Sequence, residues 1–187
     1  NDMRLLCGVT TIVVQADLTY PMTRLIGINA EGAKMKVLMR GSRAGESLMQ
    51  DRIIDWTPDE PDSVLIAGRD LLNAADEGST GAALGQISAV YPSVFELNIY
   101  DGRLRERVPD HPPITRFITD AHGNVRLGGG LDGTRIFYYA RLAGDSAWRR
   151  LERFEVFDRD DKSLKPIAMG SKPDTMYALG LSDGRNA

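Results

Sequence analysis

Turn signals punctuate this chain from end to end, and nearly every one joins two runs that read as β-strands. They are Ala30-Glu31-Gly32, Tyr100-Asp101-Gly102, Ala121-His122-Gly123-Asn124, Leu131-Asp132-Gly133, Ala143-Gly144-Asp145, Ser171-Lys172-Pro173-Asp174 and Ser182-Asp183-Gly184. Gly, Asn and Asp accept the positive φ that tight hairpins demand. A chain built hairpin after hairpin, with hardly a helical stretch, is predicted to be all-β.

The strands read as follows. Residues 5–7, 9–15, 23–29 and 33–39 are rich in apolar and β-branched side chains, and 41–46 form a polar loop. Strands at 52–56 and 63–67 flank the Pro58-Asp59-Glu60-Pro61-Asp62 turn. Residues 94–100 pair with 103–108, and the prolines within 109–113 make a stiff connector, because Pro cannot donate to a ladder. Residues 115–119 pair with 125–127, 135–142 with 148–151, and 165–169 with 176–181. Residues 71–89 stand apart. They are rich in Ala, Gly and Ser, and read as an inserted surface loop, with a short helix near 82–88 as the alternative.

Stacking these pieces reveals a repeat. One half-unit is strand, polar turn, strand: Ile54-Asp55-Trp56 to Val64-Leu65-Ile66, Phe117-Ile118-Thr119 to Val125-Arg126-Leu127, and Ala168-Met169 to Met176-Tyr177-Ala178-Leu179. The other half-unit is strand, Gly turn, strand, around Gly32, Gly102 and Gly144. Gly102 to Gly144 spans about 42 residues, close to the ~40–50 of one propeller blade. The expected architecture is a partial β-propeller of about three to four blades of four-stranded antiparallel sheet, in a single domain over residues 1–187. The blade pieces fall at approximately 1–40, 51–108, 114–152 and 165–187, with the insertion at 71–89. Strand counting predicts three, four, four and two strands in succession, so the chain reads as incomplete at both ends. It begins Asn1-Asp2, without Met, and its natural start is expected to lie upstream.

Bulk properties remove several classes. A chain of 187 residues with 42% hydrophobic and 26% charged side chains can hold a sizeable core and does not read as disordered as a whole. A net charge of −3 argues against a nucleic-acid partner. No apolar run reaches the length of a membrane helix, and no signal peptide is visible. The one cysteine, Cys7, sits in an apolar run and reads as a small buried hydrophobe, consistent with a reducing compartment. The compartment itself, cytoplasmic or periplasmic, is not encoded here.

The segments Asp55-Trp56-Thr57-Pro58-Asp59 with Pro61-Asp62-Ser63-Val64-Leu65-Ile66, Tyr91-Pro92-Ser93-Val94-Phe95-Glu96-Leu97-Asn98 with Asp101-Gly102-Arg103, Asp120-Ala121-His122-Gly123-Asn124-Val125-Arg126-Leu127-Gly128, and Ser182-Asp183-Gly184-Arg185-Asn186 are the most distinctive. In order and spacing they resemble the propeller of prolyl-oligopeptidase-type (S9) serine peptidases, in the bacterial acylaminoacyl- or dipeptidyl-peptidase-like branch. The resemblance spans nearly the whole chain. It implies a propeller that caps a downstream α/β-hydrolase domain with a Ser-Asp-His triad and admits only short peptides to it. No peptide-binding residue of that family matches a position here, so none is carried over.

The motifs that suggest chemistry resolve into structure. Gly180-Leu181-Ser182-Asp183-Gly184 matches a nucleophile elbow, but no helix, acid or His follows it, since His111 and His122 both lie upstream. It reads as a hairpin turn. Gly128-Gly129-Gly130-Leu131-Asp132-Gly133 contains the dinucleotide spacing, yet residues 134–139 read as a strand where that fingerprint needs a helix. His111 and His122 lack partners at metal-ligand spacing and read as solvated loop residues. Asp158-Arg159-Asp160-Asp161-Lys162 has the acids of a calcium loop without its glycine or terminal glutamate. Arg103, Arg105 and Arg107 share one strand face and read as a charged, solvated edge. Trp56, Phe117, Tyr138, Tyr139 and Trp148 read as packing residues between sheets, with peptide or sugar stacking as the alternative. The expectation is therefore no catalytic, cofactor-binding or metal-binding residue in this chain, and no cofactor.

Two functions of different class follow: a non-catalytic gating segment of a serine peptidase, or a stand-alone β-repeat module that binds a ligand or protein. A small β-barrel enzyme is the weaker third option, for want of an acid–base or metal constellation. Open strand edges in either case are expected to favour homo-oligomers through residues 3–14 or 176–181.

Overall fold

The first strand shows why a hairpin reading works and where it stops. In the computed structural model, β1 (Arg4–Gln15) and β2 (Leu18–Asn29) form one long antiparallel ribbon, in register from Arg4↔Asn29 to Gln15↔Leu18. The structure describes residues 3–15, 18–38, 51–68, 91–157, 164–172, 174–182 and 185–186. Expectations for 41–46, 71–89 with its possible helix at 82–88, and 158–162 lie outside the described residues, as do Pro173, Asp183 and Gly184. Within them the chain is all-β: every pairing is antiparallel, no helix occurs, and none is therefore long and apolar enough to cross a membrane. None of the sheets closes on itself. The chain divides into two compact units, Asn1–Pro109 and Asp110–Ala187.

In the first unit, β3 (Lys36–Val37) completes a three-stranded sheet in the order β1-β2-β3. It is shorter than the predicted strand at 33–39, because Lys34 takes a positive φ of 51° and delays the ladder. A second sheet runs in chain order through β4 (Ile53–Asp55), β5 (Ser63–Gly68), β6 (Ser93–Asn98) and β7 (Leu104–Val108). β5 is buried along its whole length.

The core sits between these two sheets. Val64 pairs with Leu97 and Ile66 with Phe95, so four large side chains share one face. They pack with Leu25, Leu38 and Ile99, and Leu6 closes the cluster from β1. Each fully buried side chain of this size contributes about 1.5–3 kcal/mol of hydrophobic stabilisation. Arg4 fastens the edge strand. Its guanidinium donates to the carbonyls of Ile99 at 3.0 Å, Gly27 at 3.3 Å and Lys34 at 3.1 Å, and to Asn29 Oδ1 at 2.9 Å. The turn from β6 to β7 is organised by Asn98, whose Oδ1 accepts from the Tyr100 and Asp101 amides. Gly102 takes a φ of +76° there, with Leu38 O so close that no side chain fits.

Two expectations for residues of the first unit do not hold. Cys7 is exposed, not buried. It lies opposite Ile26 on the face of β1 that alternates away from Leu6 and the core. Trp56 is 53% exposed and follows the end of β4, so it does not pack in the described core. The arginine edge behaves as a charged border: β7 is the last strand of its sheet, Arg103 pairs with Asp101, and Arg107 reaches both Glu60 and Glu96 at 3.1 Å.

In the second unit, β8 (Ile114–Thr119), β9 (Val125–Asp132), β10 (Arg135–Ala140) and β11 (Arg149–Glu155) form a second four-stranded meander in chain order. β12 (Lys165–Met169) and β13 (Met176–Leu179) make one antiparallel pair, and β14 (Leu181–Ser182) and β15 (Arg185–Asn186) make another. This pair falls in the sequence resembling a nucleophile elbow, and Ser182 lies on strand β14.

Candidate functional site

The glycine run that mimics a dinucleotide fingerprint is a strand. Gly128, Gly129 and Gly130 lie in β9, and β10 follows where a helix would be needed. The glycines serve close approach. A Cβ on Gly130 would overlap Pro113 O, and one on Gly128 would meet Ile114 Cδ1 at 2.5 Å. A Cβ on Gly129 would come within 3.0 Å of the Tyr138 ring. Bare backbone in β9 thus lets the segment entering β8 lie directly on the sheet.

That close approach positions His111. Ile114 N donates to His111 O at 2.7 Å, turning the chain through Pro112 and Pro113 just before β8. The His111 imidazole meets Tyr139 edge-on with centroids 5.3 Å apart, and lies roughly parallel to Trp148 at 6.1 Å. Phe137, two residues before Tyr139 on β10 and therefore on the same face, extends the aromatic row at 6.4 Å. His111 is half-buried, which corrects the solvated-loop reading. His122 is exposed, with its amide bound to Asp120 Oδ1 at 3.0 Å in the β8–β9 turn.

Arg141 completes the cluster. It follows β10, and its guanidinium lies 5.5 Å from the centre of the Trp148 ring, within cation–π range. Its amide donates to Arg126 O at 2.8 Å, so the two arginines sit across from each other where the chain leaves β10 beside β9. Arg126 is already matched: Nε donates to Asp120 Oδ2 at 2.8 Å and Nη1 to Leu142 O at 2.9 Å. Asp145 is likewise committed, to Arg149 at 3.0 Å and the Ala147 amide at 2.9 Å. Arg141 Nε is shut away from solvent with no hydrogen-bond acceptor among the described residues. Burial first, and then the Arg126 charge, push the Arg141 guanidinium below its ordinary pKa, while Asp145 pulls it up.

Asp120 shows the opposite balance. Burial raises its pKa, but the Arg126 hydrogen bond and the Asn124 and His122 amides outweigh burial and hold the carboxyl below its usual value. It is therefore a structural anion that organises the β8–β9 turn and neutralises Arg126.

The cluster has aromatic faces, one imidazole and one under-matched guanidinium. Aromatic faces beside a guanidinium suit stacking and contact with an anion. The sequence points to Tyr139 and Trp148 as aromatic positions but not to Arg141 or to the packing of His111. The one available signal is the alternation that places Phe137, Tyr139 and Arg141 on one side of β10 and its extension. No family model, curated protein or solved structure matches the chain.

Proposed function

We propose that this chain is a non-catalytic β-propeller segment of a prolyl-oligopeptidase-like serine peptidase, gating short peptides toward an α/β-hydrolase domain of the full protein. The observation that carries the reading is a pair of consecutive four-stranded meanders, β4–β7 and β8–β11, each with its strands in chain order. Radial repetition of such sheets is how propellers limit exposed edges. The three-stranded β1–β3 sheet and the β12–β13 pair then stand as incomplete blades. Two of the family-like motifs lie at corresponding turns: Asp55-Trp56-Thr57-Pro58-Asp59 runs from the end of β4 into the turn before β5, and Asp120 to Gly128 covers the β8–β9 turn and the first half of β9.

The test is the reading frame around the gene segment, followed by expression of its whole product. Further blades and a complete Ser-Asp-His hydrolase downstream, with cleavage of short but not long peptides, support the proposal. A stop codon directly after Ala187, or a downstream domain of another kind, overturns it.

A second reading, a stand-alone β-repeat binding module, is favoured by the under-matched Arg141 beside Trp148. It predicts ligand binding by this chain alone and no linked hydrolase.

A further inference from the structure

We propose that the end of the second-unit meander marked by Arg141, Trp148, Tyr139 and His111 binds a carboxylate carried on an aromatic or apolar group, such as the free C-terminus of a peptide ending in a large apolar residue. The inference rests on the geometry of this cluster and on neither reading of the whole chain.

The balance of charge gives the sign of the ligand. Arg126 is neutralised by Asp120, and Asp145 is paired with Arg149. Arg141 has no carboxylate partner within hydrogen-bond reach among the described residues, and it also faces the Arg126 charge. Asp174 Oδ1 accepts from the Ala143 amide at 2.8 Å, so the unmatched Arg141 guanidinium is left to meet a single negative charge. A dianionic phosphate would bring a second charge toward Asp120 and Asp145, both ionised at neutral pH.

Shape gives the head group. A guanidinium over an indole is held by cation–π attraction and still has N–H donors to offer a planar acceptor. Nε is enclosed, so the Nη edge is the one that can meet a ligand. A carboxylate is planar and matches that edge with two acceptor oxygens.

The surroundings give the body of the ligand. Trp148, Tyr139 and His111 are half-buried, so this wall is not wholly closed to a further apolar group. A hydrated inorganic anion gains nothing from such walls, whereas an aryl or alkyl carboxylate does.

The experiment titrates three probes into the chain while following the Trp148 indole N–H by NMR, with Trp148→Phe assigning the signal against Trp56. The probes are benzoate, a short peptide ending in Phe with a free carboxylate, and the same peptide amidated. Saturable binding of the free-acid peptide, at least about tenfold tighter than the amide, supports the peptide source. Benzoate binding without peptide binding supports a small free acid as the source of the same chemistry. Arg141→Gln is expected to weaken binding about tenfold, and Arg141→Lys less, because Lys keeps the charge and loses the fork. Equal binding of acid and amide, no binding of either acid, or unchanged affinity in a folded Arg141→Gln protein overturns the proposal. Should Arg141→Gln not fold, the acid-against-amide comparison on the unaltered chain still decides.

Discussion

Arg4 Nε donates to the carbonyl oxygen of Ile99 across 3.0 Å, joining the edge strand of one sheet to the β6–β7 turn of the next. Three further acceptors share the same guanidinium, and the Tyr100 ring lies 5.5 Å from it. Arg4 therefore ties β1 to Ile99, which belongs to the same core cluster as Leu25, Ile66 and Leu97. Arg4→Ala removes the donor for the Ile99 and Gly27 carbonyls and is expected to cost about 2–3 kcal/mol. Arg4→Lys should recover little, because one ammonium cannot reproduce the fork. Urea midpoints of the three proteins check this. Equal midpoints for the unaltered protein and the Arg4→Ala variant would contradict it.

The glycines of β9 give a sharper contrast. Gly130→Ala places a methyl group against Pro113 O and the backbone must move, so a loss above about 3 kcal/mol is expected. Gly133, in the β9–β10 turn, has a φ of +59° and open space around it. Gly133→Ala should cost only the strain of that φ, about 1 kcal/mol. Thermal unfolding of both variants measures the difference, and similar losses would mean that the close approach is not as described.

Asp120 sets the acid limit of the second unit. Its folded pKa is depressed, so its stabilising contribution is complete above the unfolded value, about 4, and disappears as pH falls through the folded value. Asp120→Asn should be less stable than the unaltered protein at pH 7 by about 1–2 kcal/mol. The gap should narrow on titration toward pH 3, roughly one unit below that unfolded value. A gap that stays constant across this range would show that Asp120 does not act as an anion.

The free edge of β1 carries Ile12 and Val14, 63% and 72% exposed. Exposed apolar edge strands pair with further chains. Self-association rising with concentration is expected in light scattering, reduced by Val14→Lys. A monomer at every concentration would contradict the edge as an association site. Cys7, on the same strand and exposed, should react with a thiol reagent in the native state.

Hairpins were legible wherever Gly supplied the turn, and Gly102, Gly123 and Gly133 do take positive φ between the strands predicted for them. The β1–β2 ribbon was harder, because no Gly marks the connection between Gln15 and Leu18. Its sidedness was harder still. Leu5, Cys7 and Val9 alternate with Leu6 and Ile12, so both faces of β1 read as apolar and nothing local says which meets the core. The exposed Cys7 follows from that ambiguity. Arg141 was invisible for a different reason: an arginine near the end of the strand predicted at 135–142 gives no sign of its neighbours until the pairings show Arg126 opposite it and Asp120 already taken.

The most direct measurement is a crystal structure of the complete gene product containing these residues. The expected result is β4–β7 and β8–β11 as neighbouring spokes around a central channel that opens onto a hydrolase active site. Finding the same strands closed into one barrel, or stacked as a two-layer sandwich with no hydrolase attached, would contradict the propeller reading.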